Sequence, residues 1–183
     1  MTSKVQMRAE ARALRKRLAQ EAPDAAERLA AFAGELPGAA VVAVYSPIGA
    51  ELHPEALARR LAAMDRDLCL PVVRDLDAPL TFRAWRPGDP LEPDAAGIPA
   101  PALSARAVTP EMILTPLLAF DDQGGRLGQG GGYYDRTFAS LPGALRIGVA
   151  YAGQEIARVP MQAHDIALHG VLTETGYIPA RKG

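Results

Sequence analysis

The sequence predicts an α/β protein: a three-layer domain with a mainly parallel central sheet and a pair of helices at the N-terminus. Three observations carry that expectation. Continuous apolar runs at 39–45, 111–118 and 145–150 have the composition of strands covered on both faces. Segments with helical spacing alternate with the strands, the order of a layered α/β fold. The length, 183 residues, suits one domain, and 49% hydrophobic with 22% charged residues is ordinary for a globule. A single domain over 1–183 is therefore expected, without internal repeat or dividing linker.

Each element has its own reason. Over 4–20, Met7, Ala11, Leu14 and Leu18 form a narrow apolar stripe at helical spacing. Lys4, Arg8 and Arg12, four residues apart, share another face of that helix. Pro23 opens a second helix over about 23–33, with Asp24 and Glu27 near its positive end, and Leu36–Pro37–Gly38 stops it. AAVVAVY (39–45) is the first buried strand; the loop SPIGAELHP leads to a helix at about 55–64. Residues 67–73 form a second strand, which Pro71 shortens or pushes toward an edge, and 80–85 a third. The Pro-, Gly- and Asp-rich stretch 86–110 has no periodicity and reads as a long excursion. EMILTPLL (111–118) restores a buried strand, a helix follows at about 132–140, and 145–150 and 171–175 are the last strands.

Composition excludes several classes of function. A net charge of −1 argues against nucleic-acid binding by the whole molecule. One cysteine, Cys69, rules out an intramolecular disulfide framework and any multi-cysteine metal site, and the spacing of His53, His164 and His169 does not suggest zinc. No apolar run is long enough to span a bilayer, and the N-terminus lacks the apolar core of a secretory signal. The expected address is cytoplasmic.

The most informative segment is Gly124–Asp135, where positions 124, 125, 128, 130, 131 and 132 are glycine. Between a strand and a helix start, such a loop can present backbone N–H donors and the helix dipole to a phosphate. A mobile hairpin is the bland alternative, but Arg126 interrupts the glycines and Tyr133, Tyr134, Asp135 and Arg136 follow at once. The string is neither a P-loop nor G-x-G-x-x-G. On the residues alone it is an anion site for an unknown ligand.

GGRLGQGGGYYDR, preceded by LTPLLAFD, resembles the signature of the 5-formyltetrahydrofolate cyclo-ligases, or methenyltetrahydrofolate synthetases. The K-x-x-x-R element Lys4–Arg8, VAVYSPIGAE ending at Glu51, GIPAP (97–101) and the Val159–Asp165 element follow that family's order. The resemblance implies ATP- and Mg²⁺-dependent closure of 5-formyltetrahydrofolate to 5,10-methenyltetrahydrofolate, with ADP and phosphate released, by a monomer. It assigns Lys4, Arg8, Arg126, Gly128, Gln129, Gly130, Gly131, Gly132, Tyr133 and Asp135 to ATP. It assigns Asp135 and Asp165 to Mg²⁺, Glu51, Tyr45 and Tyr134 to folate, and Tyr134 and Arg126 to catalysis. Phe82 and Trp85 are further candidates for aromatic walls. One departure stands out: His169 replaces an aspartate common in relatives, which could weaken support for the metal. The rival readings are an ATP-independent sugar-phosphate isomerase or CoA-transferase relative, and a non-catalytic nucleotide- or RNA-binding module.

Overall fold

The computed structural model of the protein describes residues 3–181. Helix α1 (Lys4–Glu21) begins on Ser3, whose hydroxyl accepts the Gln6 N–H at 3.2 Å. Its stripe turns inward as the spacing predicts, but the same face also buries Arg15. Helix α2 (Ala25–Ala31) is shorter than expected, because Pro23 lies outside it and its last turn tightens into a 3₁₀ segment at Ala33–Glu35.

Strand β1 (Val41–Ala43), helix α3 (Glu55–Ala63), and strands β2 (Asp67–Val72) and β3 (Thr81–Ala84) follow in the predicted order. The excursion is not structureless: β4 (Glu92–Pro93) and β5 (Pro99–Ala100) pair as a small hairpin. Asp94 shapes it, its carboxylate accepting N–H groups of Ala96 at 2.9 Å, Ile98 at 3.0 Å and Val73 at 2.9 Å. After β6 (Met112–Pro116), a second hairpin joins β7 (Ala119–Phe120) to β8 (Arg126–Leu127). Helix α4 (Tyr133–Ser140), β9 (Leu145–Val149), β10 (Gly170–Thr173) and β11 (Gly176–Pro179) complete the chain. Sequence reading missed both hairpins and β11.

The sheet has seven strands in the order β11-β10-β9-β6-β1-β2-β3. Its five central strands run parallel, and antiparallel β3 and β11 close the two edges. β2 is thus interior, not an edge strand. Pro71 does not end it either, since β2 runs on to Val72: β1 pairs only with Asp67–Cys69, so the missing N–H falls beyond the end of β1. Both faces are buried. Val42, Leu68, Leu70, Met112 and Leu114 pack with Leu29 of α2 and Leu57 and Leu61 of α3. Ala43, Cys69 and Ile113 pack on the other side with Phe120 and Phe138. α1 lies along the rim of this sandwich: Leu18 and Ala19 pack on the first cluster, and Met7 and Ala11 pack against Leu118 and, in the second hairpin, Ala119 and Leu127.

The chain leaves β1 toward β2 on one side, whereas β6, β9 and β10 build outward on the other. The sheet therefore switches direction between β1 and β6. In open α/β sheets, ligands bind beyond the strand ends at such a point.

Candidate functional site

A cavity of about 280 Å³ opens there. Its walls come from the ends of β1, β2 and β6, the second hairpin, the first turn of α4, the start of α1 and the loop at 162–165. It gathers Lys4, Arg8, Tyr45, Glu51, Arg126, Gly128, Gln129, Gly130, Gly131, Gly132, Tyr133, Tyr134, Asp135 and Asp165 into one lining. These are all the residues assigned above to ATP, Mg²⁺, folate or catalysis. Of the three aromatic-wall candidates, only Tyr45 lines it. Phe82 is packed in the core, and Trp85 faces a neighbouring cavity of about 270 Å³.

The glycine cluster divides into two halves with different work. The first half is a structural turn. Asp121 is buried and accepts N–H groups of Gln123 at 3.0 Å, Gly125 at 2.8 Å and Val159 at 2.8 Å. A Cβ at Gly125 would stand 2.5 Å from that carboxylate. This half is a hairpin turn, but a buried one that Asp121 holds in place.

The second half, Gly128–Gly132, is a cradle for cations. Arg8 donates to the Gly128 carbonyl at 3.0 Å, and Arg12 to the Gln129 side chain at 2.9 Å. A Cβ at Gly128 would lie 2.9 Å from an Arg126 nitrogen, and one at Gly130 would lie 3.3 Å from the Arg8 guanidinium carbon. At Gly132 the distance to Arg136 is 2.6 Å. Guanidinium groups thus rest where side chains would be. Gly132 also takes φ +72° to start α4. None of the N–H groups from Gly128 to Gly132 has a hydrogen-bond partner among the described residues. Unpaired N–H groups, a helix start and several cations make this end of the cavity suited to a polyanion.

Two carboxylates stand opposite, and each is already paired. Asp165 meets Lys4 at 3.0 Å, and Asp135 meets Arg126 at 3.0 Å. Burial pushes the Asp165 carboxyl up, but the Gln162 N–H and the Lys4 ammonium outweigh it and hold it below its ordinary value. The Ile166 N–H donates to Asp135 at 3.3 Å, which brings the two carboxylates to neighbouring positions. No group of three His, Cys, Asp or Glu side chains that could hold a metal occurs among the described residues. Two carboxylates do suit a Mg²⁺ ion that arrives with phosphate oxygens and keeps its waters. His169 lies elsewhere. Its Nδ1 accepts the Arg146 N–H at 3.0 Å, bracing β9 beside β10, and it does not line the cavity.

The other end of the cavity is drier. Glu51 is 5% exposed; one oxygen accepts the Ile48 N–H at 2.9 Å and the other stands 3.7 Å from Arg15. Burial pushes its carboxyl up, while the Ile48 N–H and Arg15 draw it back. Tyr45 donates its hydroxyl to the Leu52 carbonyl. Burial and the Glu51 charge raise both Tyr45 and Tyr134, so each phenol keeps its proton. Burial pushes Cys69 to about 12, so it is no nucleophile.

Sequence reading missed Arg15, Arg12, Gln162 and Asp94 as members or supports of this site. For Arg15 the signal was there: a charge within the apolar stripe of α1.

A sequence profile of the 5-formyltetrahydrofolate cyclo-ligase family matches residues 1–174. The chain is 34% identical over 139 residues to the 5-formyltetrahydrofolate cyclo-ligase of Escherichia coli K12, covering 72% of this chain and 76% of that one. It is 32% identical over 138 residues to the Haemophilus influenzae protein of the same name, covering 72% and 74%. The solution structure of the Aquifex aeolicus 5,10-methenyltetrahydrofolate synthetase superposes with a TM-score of 0.83 at 29% identity, covering 98% of this chain and 94% of that one. The Mycoplasma pneumoniae synthetase shares the fold, with a TM-score of 0.72 at 21% identity, covering 94% and 99%.

Proposed function

We infer the reaction from membership: the chain belongs to the 5-formyltetrahydrofolate cyclo-ligase family, and it is an enzyme of folate one-carbon metabolism. From that membership we propose that it spends ATP, as its Mg²⁺ complex, to close 5-formyltetrahydrofolate to 5,10-methenyltetrahydrofolate. In this reading the whole chain works as one domain, acting on two small-molecule ligands without nucleic acid. No helix among the described residues is long and apolar enough to cross a membrane.

The observation that carries the reading is the two-ended cavity. A cationic, N–H-rich end suits a triphosphate, and a dry end with a buried carboxylate suits a flat heterocycle with adjacent N–H donors. Because 5-formyltetrahydrofolate bears its formyl group on the ring system, the reacting atoms fall between the two ends. The formyl oxygen attacks the γ-phosphorus, and the bond to ADP breaks. N10 then attacks the formyl carbon, a C–N bond forms, and the C–O bond breaks with its electron pair leaving on phosphate; N10 gives up its proton. Formamide oxygen is a poor leaving group until it is phosphorylated, so ATP is needed.

In this scheme Arg8, Lys4, Arg126 and the Gly128–Gly132 amides hold the triphosphate and neutralise charge that spreads over the γ-phosphoryl oxygens. When bound, Mg²⁺ supplies charge neutralisation to the phosphates, with Asp135 and Asp165 to orient its waters. Lys4 and Arg126 must then exchange their carboxylate partners for phosphate, a swap between like interactions. Tyr134 stays protonated and donates from the boundary of the two ends. Glu51 orients the pterin.

Mixing the protein with 5-formyltetrahydrofolate, Mg²⁺ and ATP should raise the ultraviolet absorbance of the methenyl product, and omitting ATP should abolish the rise. Equal rates without ATP would overturn the ATP dependence. No product with either mixture would leave the isomerase or CoA-transferase relative and the binding module.

A further inference from the structure

We propose that Arg15 is a positioning residue for the Glu51 carboxylate: from inside α1 it supplies the counter-charge that holds Glu51 in place. The proposal rests on the reading that Glu51 faces folate.

Arg15 occupies a position where the helix would ordinarily bury a leucine or an alanine. It is 5% exposed, and Nη1 donates to the Leu117 carbonyl at 3.1 Å and lies 3.7 Å from Glu51. Nε has no hydrogen-bond partner among the described residues. Such a pair is a poor device for stability, since well-packed apolar groups usually do as well. Its geometry serves the cavity instead. Glu51 lines the cavity whereas Arg15 does not, so the arginine stands behind the carboxylate. The Ile48 N–H takes one Glu51 oxygen at 2.9 Å, and the guanidinium faces the other. Held from two sides, the carboxylate has little freedom to turn from a ligand.

The surroundings of the pair are otherwise mostly neutral. Glu51 faces Arg15 of α1, Tyr45 after β1 and Tyr134 of α4. Arg15 in turn faces Glu51, Tyr45, Tyr151 and Arg12. Tyr134 also feels Arg126, and Tyr151 feels Glu174. The two tyrosines beside Glu51 carry no charge at neutral pH, and the nearest opposing charge is Arg15. Burial already favours the protonated carboxyl, and losing Arg15 favours it further. The same helix sends Lys4 and Arg8 to the polyanion end. One helix therefore serves both ends of the cavity.

Calorimetric titration with 5-formyltetrahydrofolate in the absence of ATP tests this across the neutral pH range. Arg15→Met should bind folate roughly tenfold more weakly at neutral pH and recover affinity as pH rises, because Glu51 must ionise unaided. The wild type should stay flat over the same range. Adding Arg15→Met to Glu51→Gln should change affinity less than about twofold beyond Glu51→Gln alone. Additive losses, or a loss independent of pH, would overturn the proposal and leave Arg15 a packing residue. If Arg15→Met fails to fold, Arg15→Lys keeps the charge but loses reach. It should show a smaller loss with a weaker pH dependence in the same direction, and a loss as large as that expected of Arg15→Met and independent of pH overturns the proposal equally. Normal folate affinity in Glu51→Gln would instead sink the underlying assignment of Glu51.

Discussion

The two ends of the cavity are built on opposite electrostatic principles. At the polyanion end, charges are many and already in pairs, Lys4 with Asp165, Arg126 with Asp135 and Arg8 on a carbonyl; the Arg126 side chain is buried, but its partner Asp135 is 20% exposed. Each pair can open because water and an incoming phosphate replace what is lost. At the dry end one carboxylate, 5% exposed, is held by one buried arginine and one N–H group. Nothing there can be exchanged cheaply. The first end is suited to a ligand that brings its own charge, the second to a neutral ring recognised by hydrogen-bond pattern. Mutations should therefore cost more at the dry end.

Glu51→Gln tests that contrast most severely. It keeps the shape but turns one acceptor into a donor that faces a donor on the pterin. The expected cost is about 2–3 kcal/mol, a folate affinity some thirty- to hundredfold weaker. ATP binding measured without folate should be nearly unchanged. A normal folate Kd would remove the asymmetry between the two ends.

Gly130→Val strikes the wet end, and roughly a tenfold loss of ATP affinity is expected. Valine must adopt φ +103° and place its Cβ 3.3 Å from the Arg8 guanidinium, so both the loop and the cation shift. Gly130 is exposed, so the fold should survive. Unaltered nucleotide affinity in a folded variant would mean that the loop does not touch phosphate.

The same contrast explains what was legible in the sequence. Buried parallel strands announce themselves as apolar runs, and 41–43, 67–72, 112–116 and 145–149 all fall inside the predicted segments. The two small hairpins left no periodicity because each strand has only two residues, and buried or half-buried Asp94 and Asp121 shape their turns through side-chain hydrogen bonds. The polyanion end was visible as glycine and arginine density within one stretch of chain. The dry end was named only through the family resemblance. Glu51 reads as a polar residue before a helix, and its partner Arg15 lies 36 positions earlier on a stripe that spacing marks as apolar. Only folding brings the two together. Likewise the Lys4–Asp165 pair joins residues 161 positions apart.

Asp135→Asn should act more mildly. It removes a charge that Arg126 now neutralises at 3.0 Å, with almost no change in volume. The freed Arg126 then meets the phosphates without first leaving a partner, which offsets part of what the variant loses toward Mg²⁺. The expected result is a rate that half-saturates at severalfold higher Mg²⁺, with folate KM unchanged. An identical Mg²⁺ titration would reduce Asp135 to a helix-dipole partner.

The smallest effect is expected at Asp165, and its sign is set by the direction of its shift. The folded-state carboxyl sits below the ordinary value of 3.8, chiefly because the Gln162 N–H and Lys4 overcome the cost of burial. A group depressed in this way stabilises the fold above its unfolded-state value and loses that contribution as pH falls through the folded one. Asp165→Asn should therefore melt slightly below the wild type at neutral pH, and the two should converge in acid below the ordinary carboxylate range. The pair is partly wet, with side chains 24% and 14% exposed. Its worth should be at most about 1 kcal/mol, or a shift of roughly 2–4 °C in Tm. Added salt should narrow the gap at neutral pH, as screening does for partly exposed pairs. A gap that persisted unchanged into acid would mean that the asparagine disturbs the loop at 162–165 by shape rather than by charge. The pairs at the wet end would then be less exchangeable than their exposure implies.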